Sequence, residues 1–234
     1  MSRVNRGIGF WVRRLCFFLF LFFCVIQLQY ILRIVWFNYF EPASTPYIRS
    51  QLINLAEQNK PLRYQWVDYK HISSWVPKAI IAAEDTHFMQ HNGVEWSAIW
   101  QAFNRNLIQG NHSPGGSSLT QQTVKNLLLT HERSYFRKAE EIFLALVMDL
   151  FWSKKRILEV YMNIAEFGNG IFGIEAASRH YYHRSAKYLT QDQAIWLSAI
   201  LASPKRYEKE RNSSFLRYRL QRIQTDIHYV HIPK

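Results

Sequence analysis

The amino-acid sequence predicts a mainly α-helical protein in which one transmembrane helix precedes a single domain. Three observations indicate this class: a long apolar run near the N-terminus, apolar residues at helical spacing through most of the remaining chain, and sparse strand signals. At 234 residues the chain has room for one ordinary domain and an appendage. We find no internal repeat that would indicate a repeat architecture.

The N-terminal apolar run covers residues 15–37 and reads LCFFLFLFFCVIQLQYILRIVWF. A helix of this length can cross a hydrocarbon core of about 30 Å. Arginines without acidic neighbours precede it, so we expect residues 1–14 to stay in the cytoplasm and the bulk of the chain to be exported. A cleaved signal peptide is the alternative, but no small-x-small site follows directly. The cysteines, Cys16 and Cys24, both lie in this run, so no disulfide framework is predicted for the domain.

The rest of the chain divides into three predicted parts. Residues 38–50 form a short connector with two prolines, residues 51–205 a helical domain, and residues 206–234 a basic tail whose weak periodicity suggests that it is partly loose. Helices are predicted in SSWVPKAIIAAED, in residues 94–109, in LTQQTVKNLLL, in YFRKAEEIFLALVMDLFW, in SKKRILEVYMNIAEF and after an N-cap at Thr190. Since YFRKAEEIFLALVMDLFW is apolar nearly all round, we expect it to be a buried central helix.

The chain is strongly basic, with 29 Lys and Arg against 17 Asp and Glu and a formal charge of +12. Such an excess indicates a polyanionic partner: nucleic acid, anionic lipid or a phosphorylated substrate. Basic patches with aromatic residues are typical of nucleic-acid binding, but the membrane anchor and the predicted export argue against it.

Two pairs of acidic residues are candidates for catalysis. Glu84 and Asp85 end an apolar helix, where a carboxyl group is partly desolvated and where the helix dipole disfavours a negative charge. An unfavourable position of this kind favours a functional role, such as that of a general base. Glu140 and Glu141 are expected in the first turn of the most apolar helix, where simple stabilisation by the helix dipole is the alternative explanation.

A cluster of cations follows the glycine-rich loop SPGGSSLTQQ. Its members are Lys125, Arg133, Arg137 and Lys138, with Gln121, Gln122 and Asn126 nearby. Arginine forks and lysine charges can neutralise a diphosphate, although a solvated helix face has a similar composition.

Two further motifs are weak. GNGIFG at residues 168–173 matches G-x-G-x-x-G but follows a helical pattern instead of a strand, which argues against a dinucleotide site. His87 and His91 have the spacing of zinc ligands on a helix, but no H-E-x-x-H is present and Gly93 is expected to end the helix, so no metal site is predicted.

The residues resemble the peptidoglycan glycosyltransferases of glycosyltransferase family 51. EDTHFMQHNG resembles the family's E-D-x-x-F-x-x-H-x-G, GGSSLTQQTVKN its G-G-S-T-I-T-Q-Q-x-x-K-N, RKAEE its R-K-x-x-E, and KKRILEVYMN its K-x-x-I-L-E-x-Y-L-N. The length and the N-terminal anchor are similar to those of the monofunctional biosynthetic transglycosylases. Ser118 and Leu119 depart mildly from the family's usual Thr and Ile.

The resemblance implies a lysozyme-like fold with a head lobe and a membrane-facing jaw, to which we assign residues 94–109; an ordinary core helix is the alternative there. It implies polymerisation of lipid II into β-1,4 glycan strands, with inversion and release of undecaprenyl diphosphate. Glu84 falls on the position of the base, and Glu141 on that of a residue assisting at the donor diphosphate, with or without a divalent cation (Mg²⁺ or Mn²⁺). No organic cofactor is implied. The substrate-binding positions are Asp85, Ser117, Gln122, Lys125, Asn126, Arg133, Arg137 and Lys138.

The expected partners are lipid II, the growing glycan strand, membrane lipid and proteins of the divisome or elongation complex. The expected location is the bacterial inner membrane, with the catalytic domain in the periplasm. The sequence contains no S-x-x-K, S-D-N or K-T-G motif, so we expect no transpeptidase activity. Two alternatives are a lytic transglycosylase, which has no need of a cationic diphosphate site, and a non-catalytic scaffold that binds lipid II.

Overall fold

The computed structural model describes residues 2–109, 116–130, 132 and 134–233 of the chain. The helices are α1 (Ser2–Tyr39), α2 (Pro46–Glu57), α3 (Trp75–Glu84), α4 (Trp96–Gln109), α5 (Leu119–Leu128), α6 (Tyr135–Phe151), α7 (Lys154–Ile164), α8 (Ile174–Tyr182), α9 (Gln191–Ile200), α10 (Pro204–Tyr207) and α11 (Ser214–Asp226). The strands are β1 (Arg63–Tyr64), β2 (Glu166–Gly168) and β3 (Ile171–Phe172). The prediction of a mainly α-helical protein is confirmed.

The chain divides into two compact units, residues 1–40 and residues 41–234. The first unit is essentially α1, whose stretch Phe10–Tyr39 is, among the described residues, the one helix long and apolar enough to cross a membrane. Its apolar side chains are largely exposed, as expected of a helix whose natural solvent is hydrocarbon.

The second unit is built around two groups of helices. In one group α3 packs against α9 and α11, and in the other α5 packs against α6 and α7. Both groups bury aliphatic side chains completely, among them Ile80 of α3 and Leu144 of α6. Since burial of one such side chain contributes roughly 1.5–3 kcal/mol, these contacts fix the helices that carry the candidate site residues.

The small sheet has the strand order β1-β3-β2, with β1 parallel and β2 antiparallel to β3. The GNGIFG segment forms the β2–β3 hairpin and the start of α8. Gly173 has a φ of +84°, and a Cβ there would lie 2.6 Å from the carbonyl oxygen of Asn163. The glycine is therefore required by close backbone packing.

Two predictions about α6 are wrong. The helix buries Leu144, Ala145 and Met148 on one side, but it exposes Phe136 and Leu150, at 90% and 80%, on the other. One face of α6 is therefore buried and the other exposed, although both are largely apolar. The prediction is wrong because the sequence pattern does not show which apolar face lacks a neighbour in the fold. The helix also begins at Tyr135, so that Glu141 lies in its second turn and not in its first.

The segment expected to be a partly loose basic tail, residues 206–234, contains the end of α10 and all of α11. Helix α11 is capped by Ser213, whose side chain accepts a hydrogen bond from the backbone N–H of Leu216. Leu216 and Ile223 of α11 are buried against the domain. These two apolar residues, seven positions apart, pack α11 against the domain. Among so many arginines, however, two apolar residues are only a weak sequence signal for an amphipathic helix.

Candidate active site

Glu84 is the last residue of α3, as the sequence predicts, and its carboxylate is held from two sides. One oxygen accepts a hydrogen bond from Nε2 of Gln122 at 3.0 Å, and the other accepts from Nη2 of Arg219 at 2.7 Å. Both Glu84 and Arg219 have side chains that are 13% exposed, so the carboxylate is largely withdrawn from solvent but remains reachable.

Helix α5 presents Gln122 and Lys125 on the same face, since residues three apart are neighbours on a helix. The helix starts in a capping box, in which Ser118 accepts from the N–H of Gln121 and the Gln121 side chain accepts from the N–H of Ser118. The Ser118 hydroxyl also donates to the carbonyl oxygen of Gly93 at 2.6 Å. Serine in place of the family's threonine therefore keeps the capping interaction.

Lys125 is a half-buried cation. Burial lowers the pKa of its ammonium group, and Arg137 and Lys138 act in the same direction, while Glu141 and Glu84 oppose them. Within the described part of the chain its Nζ forms neither a hydrogen bond nor an ion pair. The lysine is therefore available to an anionic ligand.

Glu141 is 2% exposed and lies between two cations of its own helix. One of its oxygens accepts from Nη1 of Arg137 at 2.7 Å, and the other is in contact with Nζ of Lys138. Lys138 also donates to the hydroxyl of Ser117 at 2.8 Å. The buried carboxylate thus arranges two cations and ties them to the segment before α5.

Asp85 is placed differently from the prediction that it binds substrate. Its side chain has no exposed surface, and its oxygens accept from the N–H of Leu119 at 2.8 Å and from Nε2 of His91 at 2.9 Å. These bonds use the carboxylate to join the turn after α3 to the start of α5. We therefore assign Asp85 a structural role, and its contact with substrate stays a prediction.

The same turn contains the predicted glycine and histidines. Gly93 has a φ of +79°, and a Cβ there would lie 2.5 Å from the carbonyl oxygen of Ala145. Donor atoms of Asp85, His91 and Glu95 lie within 4.8 Å of one another, but Asp85 is committed to the two bonds above and Glu95 contacts His87. We interpret this group as the hydrogen-bond network of the turn.

Two other predicted residues are not placed in the cluster. Asn126 follows Lys125 on α5 and is buried, but no described contact joins its side chain to Glu84 or Glu141. Arg133 lies outside the described residues.

Sequence reasoning missed Arg219 and Tyr161. The hydroxyl of Tyr161, on α7, donates to Oε1 of Gln122 at 3.2 Å, and burial raises its pKa well above the usual range. Tyr161 lies in the KKRILEVYMN motif, so the motif could have identified it as a candidate site residue. Arg219 has no motif, and its only signal is a pair of arginines three apart, with Arg222, on a weakly amphipathic helix.

A carboxylate able to accept a proton, beside a cluster of cations, defines an enzyme site for group transfer from a donor with an anionic leaving group. Comparison with known proteins places this site in a family. Residues 50–228 match the transglycosylase family. The chain belongs to this family, so it is a glycosyltransferase with the lysozyme-like fold that the sequence predicts.

Similar proteins span most of the chain. The biosynthetic peptidoglycan transglycosylase of Bordetella pertussis is 42% identical over 206 residues, which cover 86% of this chain and 85% of the relative. That of Nitrosospira multiformis is 40% identical over 208 residues, covering 88% and 90%. That of Laribacter hongkongensis is 39% identical over 225 residues, covering 95% and 99%.

Proposed function

We propose that the protein polymerises lipid II into β-1,4 glycan strands while anchored to the bacterial inner membrane by α1. Peptidoglycan glycosyltransferase activity follows from its family and from the shared name of its relatives. The observation that carries the finer proposal is the double role of α5. It turns Gln122 toward Glu84 and Lys125 toward the cations around Glu141.

In this proposal Glu84 is the general base. It takes the proton of the acceptor 4-hydroxyl as that oxygen attacks the anomeric carbon of the donor, because a sugar hydroxyl is a weak nucleophile. The bond from that carbon to the diphosphate oxygen breaks, and the electron pair leaves with undecaprenyl diphosphate. Attack opposite the leaving group inverts the anomeric configuration.

The leaving diphosphate needs its charge neutralised more than it needs a proton. Lys125, Arg137 and Lys138 supply positive charge from α5 and α6. Arg137 offers a planar fork and the lysines compact point charges, a combination suited to phosphate oxygens. Ser117, which is bonded to Lys138, and Gln122 complete the polar side of the donor site. Glu141 acts here by holding the two cations in place.

The proposed donor site does not include a resident divalent cation. The residues present do not fit a resident metal, because the carboxylate of Glu141 is already engaged by Arg137 and Lys138 and a metal would have to displace one of them. In this proposal the cations of the protein therefore neutralise the diphosphate.

The domain also has surfaces suited to a lipid-borne substrate. Helix α4 exposes Trp96 and Trp100, and α6 exposes Phe136, Phe143 and Leu150. Large exposed aromatic and aliphatic side chains of this kind are typical of contact with a membrane interface. We propose that these two helices form the membrane-facing jaw, that the domain is periplasmic, and that residues 1–14 are cytoplasmic. Divisome or elongation-complex proteins remain proposed partners.

The lytic transglycosylase and the scaffold are distinguishable by experiment. The purified full-length protein is incubated in detergent with labelled lipid II, and in parallel with preformed glycan strands. We expect long glycan products from lipid II and no cleavage of the strands. Cleavage without polymerisation would support the lytic alternative, and binding of lipid II without turnover would support the scaffold.

A further inference from the structure

Helix α11 holds the end of α3 that carries Glu84. From α11, Arg219 donates to the carboxylate of Glu84, and Arg222, one turn later, donates from Nη2 to the carbonyl oxygen of Ala83 at 3.1 Å. The last carbonyls of a helix lack partners within the helix, and the helix dipole disfavours a carboxylate there. The two arginines therefore compensate both unfavourable features of the position at which the base lies.

Arg219 is itself held in place. Its Nε donates to the carbonyl oxygen of Ala199, near the end of α9, at 3.2 Å, while Nη2 contacts Glu84 at 2.7 Å. The planar guanidinium is thus fixed between α3 and α9. The buried side chains of Leu216 and Ile223 hold α11 itself against the domain. The guanidinium is therefore held more firmly than that of an exposed surface ion pair, in which both side chains remain mobile.

On the basis of these contacts, and resting on the proposed function, we propose that Arg219 is a positioning residue that keeps the carboxylate of Glu84 oriented toward the acceptor hydroxyl. Gln122 holds the other oxygen, and each carboxylate oxygen has two lone pairs, so a site for the incoming proton remains. The C-terminal helix is therefore part of the proposed catalytic arrangement, although none of the four motifs that resemble the family lies in it.

Three groups that carry or can carry charge face Glu84. Arg219 contributes from α11, Lys125 from α5, and the Tyr161 hydroxyl from α7. The tyrosine stays neutral, because burial raises its pKa well above the usual range. Arg219 is the only one of the three that forms an ion pair with Glu84 among the described residues. Its removal should therefore have the largest effect on the position of the Glu84 carboxylate.

The test compares Arg219→Gln, Arg219→Lys and the full-length parent in lipid II polymerisation, with kcat and KM measured from pH 5 to pH 9. Arg217→Gln is the matched control, because Arg217 lies on the same helix and is exposed. For Arg219→Gln we expect kcat to fall by about 10- to 100-fold with KM changed by less than about threefold. A fall in kcat at a nearly constant KM indicates that an interaction made in the transition state has been lost, while substrate binding is kept.

Arg219→Lys separates charge from geometry. It should recover kcat only in part, because the charge is kept but the planar fork that contacts both Glu84 and Ala199 is lost. A purely structural contact would lower the melting temperature of both variants but leave kcat at the parental value at a temperature at which they are folded, and that result would overturn the proposal. A parent that folds but makes no polymer refutes the proposed function itself, and the role of Arg219 falls with it.

Discussion

The hydroxyl of Tyr161 donates to Oε1 of Gln122, and this contact decides which end of the amide faces Glu84. With its oxygen occupied by the tyrosine, Gln122 can turn only its NH₂ group toward the carboxylate, to which it donates at 3.0 Å. Three helices, α7, α5 and α3, are joined in this short chain of hydrogen bonds. The carboxylate of Glu84 is therefore oriented by a residue that does not touch it.

Replacing Tyr161 by Phe tests this relay. Loss of the hydroxyl frees the amide to flip, and we expect kcat for polymerisation to fall about fivefold, which corresponds to one hydrogen bond of roughly 1 kcal/mol. Because the raised pKa of Tyr161 keeps the hydroxyl protonated, the ratio of parent to variant rates should stay constant from pH 6 to pH 9. Tyr229→Phe, at an 80% exposed position, serves as the control. A ratio that changes with pH would contradict the proposed donor role.

Replacing Glu84 by Gln removes the proposed base while keeping its size. We expect polymerisation to fall by about 10²–10⁴-fold, the range typical of a positioned general base, with binding of lipid II retained. Glu57→Gln is the control, since Glu57 is exposed at the end of α2. Gel analysis of labelled products, beside a thermal melt of each variant, provides the measurement. Undiminished polymer from a folded Glu84→Gln protein would rule out Glu84 as the base.

Replacing Lys125 by Met should separate function from stability. The lowered pKa of Lys125 means that folding disfavours its charge, so the folded state loses stability relative to an uncharged side chain as pH falls below about 10.4, the value for a free lysine. We expect the variant to lose polymerisation about 10²-fold while gaining about 1 kcal/mol of stability at pH 7.

The stability gain of Lys125→Met should shrink as pH rises, and disappear above about 10.4, where the lysine is neutral in both the folded and the unfolded state. Denaturant unfolding at a series of pH values measures it, with Lys209→Met, at an exposed position, as the control. A variant that is less stable than the parent at neutral pH would show that Lys125 contributes to folding through a favourable contact.

Replacing Gly93 by Ala tests the turn that follows Glu84. The positive φ and the close approach of the Ala145 carbonyl oxygen both oppose a Cβ, so we expect a loss of at least about 2 kcal/mol in the free energy of unfolding. Asn92→Ala, at the exposed preceding position, should change stability by less than about 0.5 kcal/mol. Urea unfolding monitored by circular dichroism compares the two, and equal stabilities would contradict the packing argument.

The exposed apolar face of α6 can be located relative to the membrane directly. A spin label at position 150, introduced as Leu150→Cys after Cys16→Ser and Cys24→Ser, should be accessible to lipid-soluble oxygen in nanodiscs and protected from a water-soluble nickel complex. A label at Tyr188, an exposed residue outside α4 and α6, is the control and should show the opposite preference. If position 150 behaves like position 188, α6 does not contact the bilayer.

Part of the candidate site could be predicted from the sequence because its signals are local. A carboxylate at the end of an apolar helix is visible in the order of residues, and so are the capping residue Ser118 and the three-residue spacing of Gln122 and Lys125. The hydrogen bonds of Asp85 could not be predicted in the same way, because adjacent residues at a helix end point in different directions. Glu84 turns toward Gln122 while Asp85 is buried beneath the start of α5.

By itself, the sequence determined the helical class, the apolar N-terminal helix, the family and most of the residues at the site, all of which depend on composition, short spacing or motif. Only the tertiary structure decided that α11 reaches Glu84, that Tyr161 sets the amide of Gln122, and that one face of α6 remains uncovered. These relationships join residues that are far apart in the chain. They depend on which helix faces pack together, and the periodicity of a single helix does not contain that information.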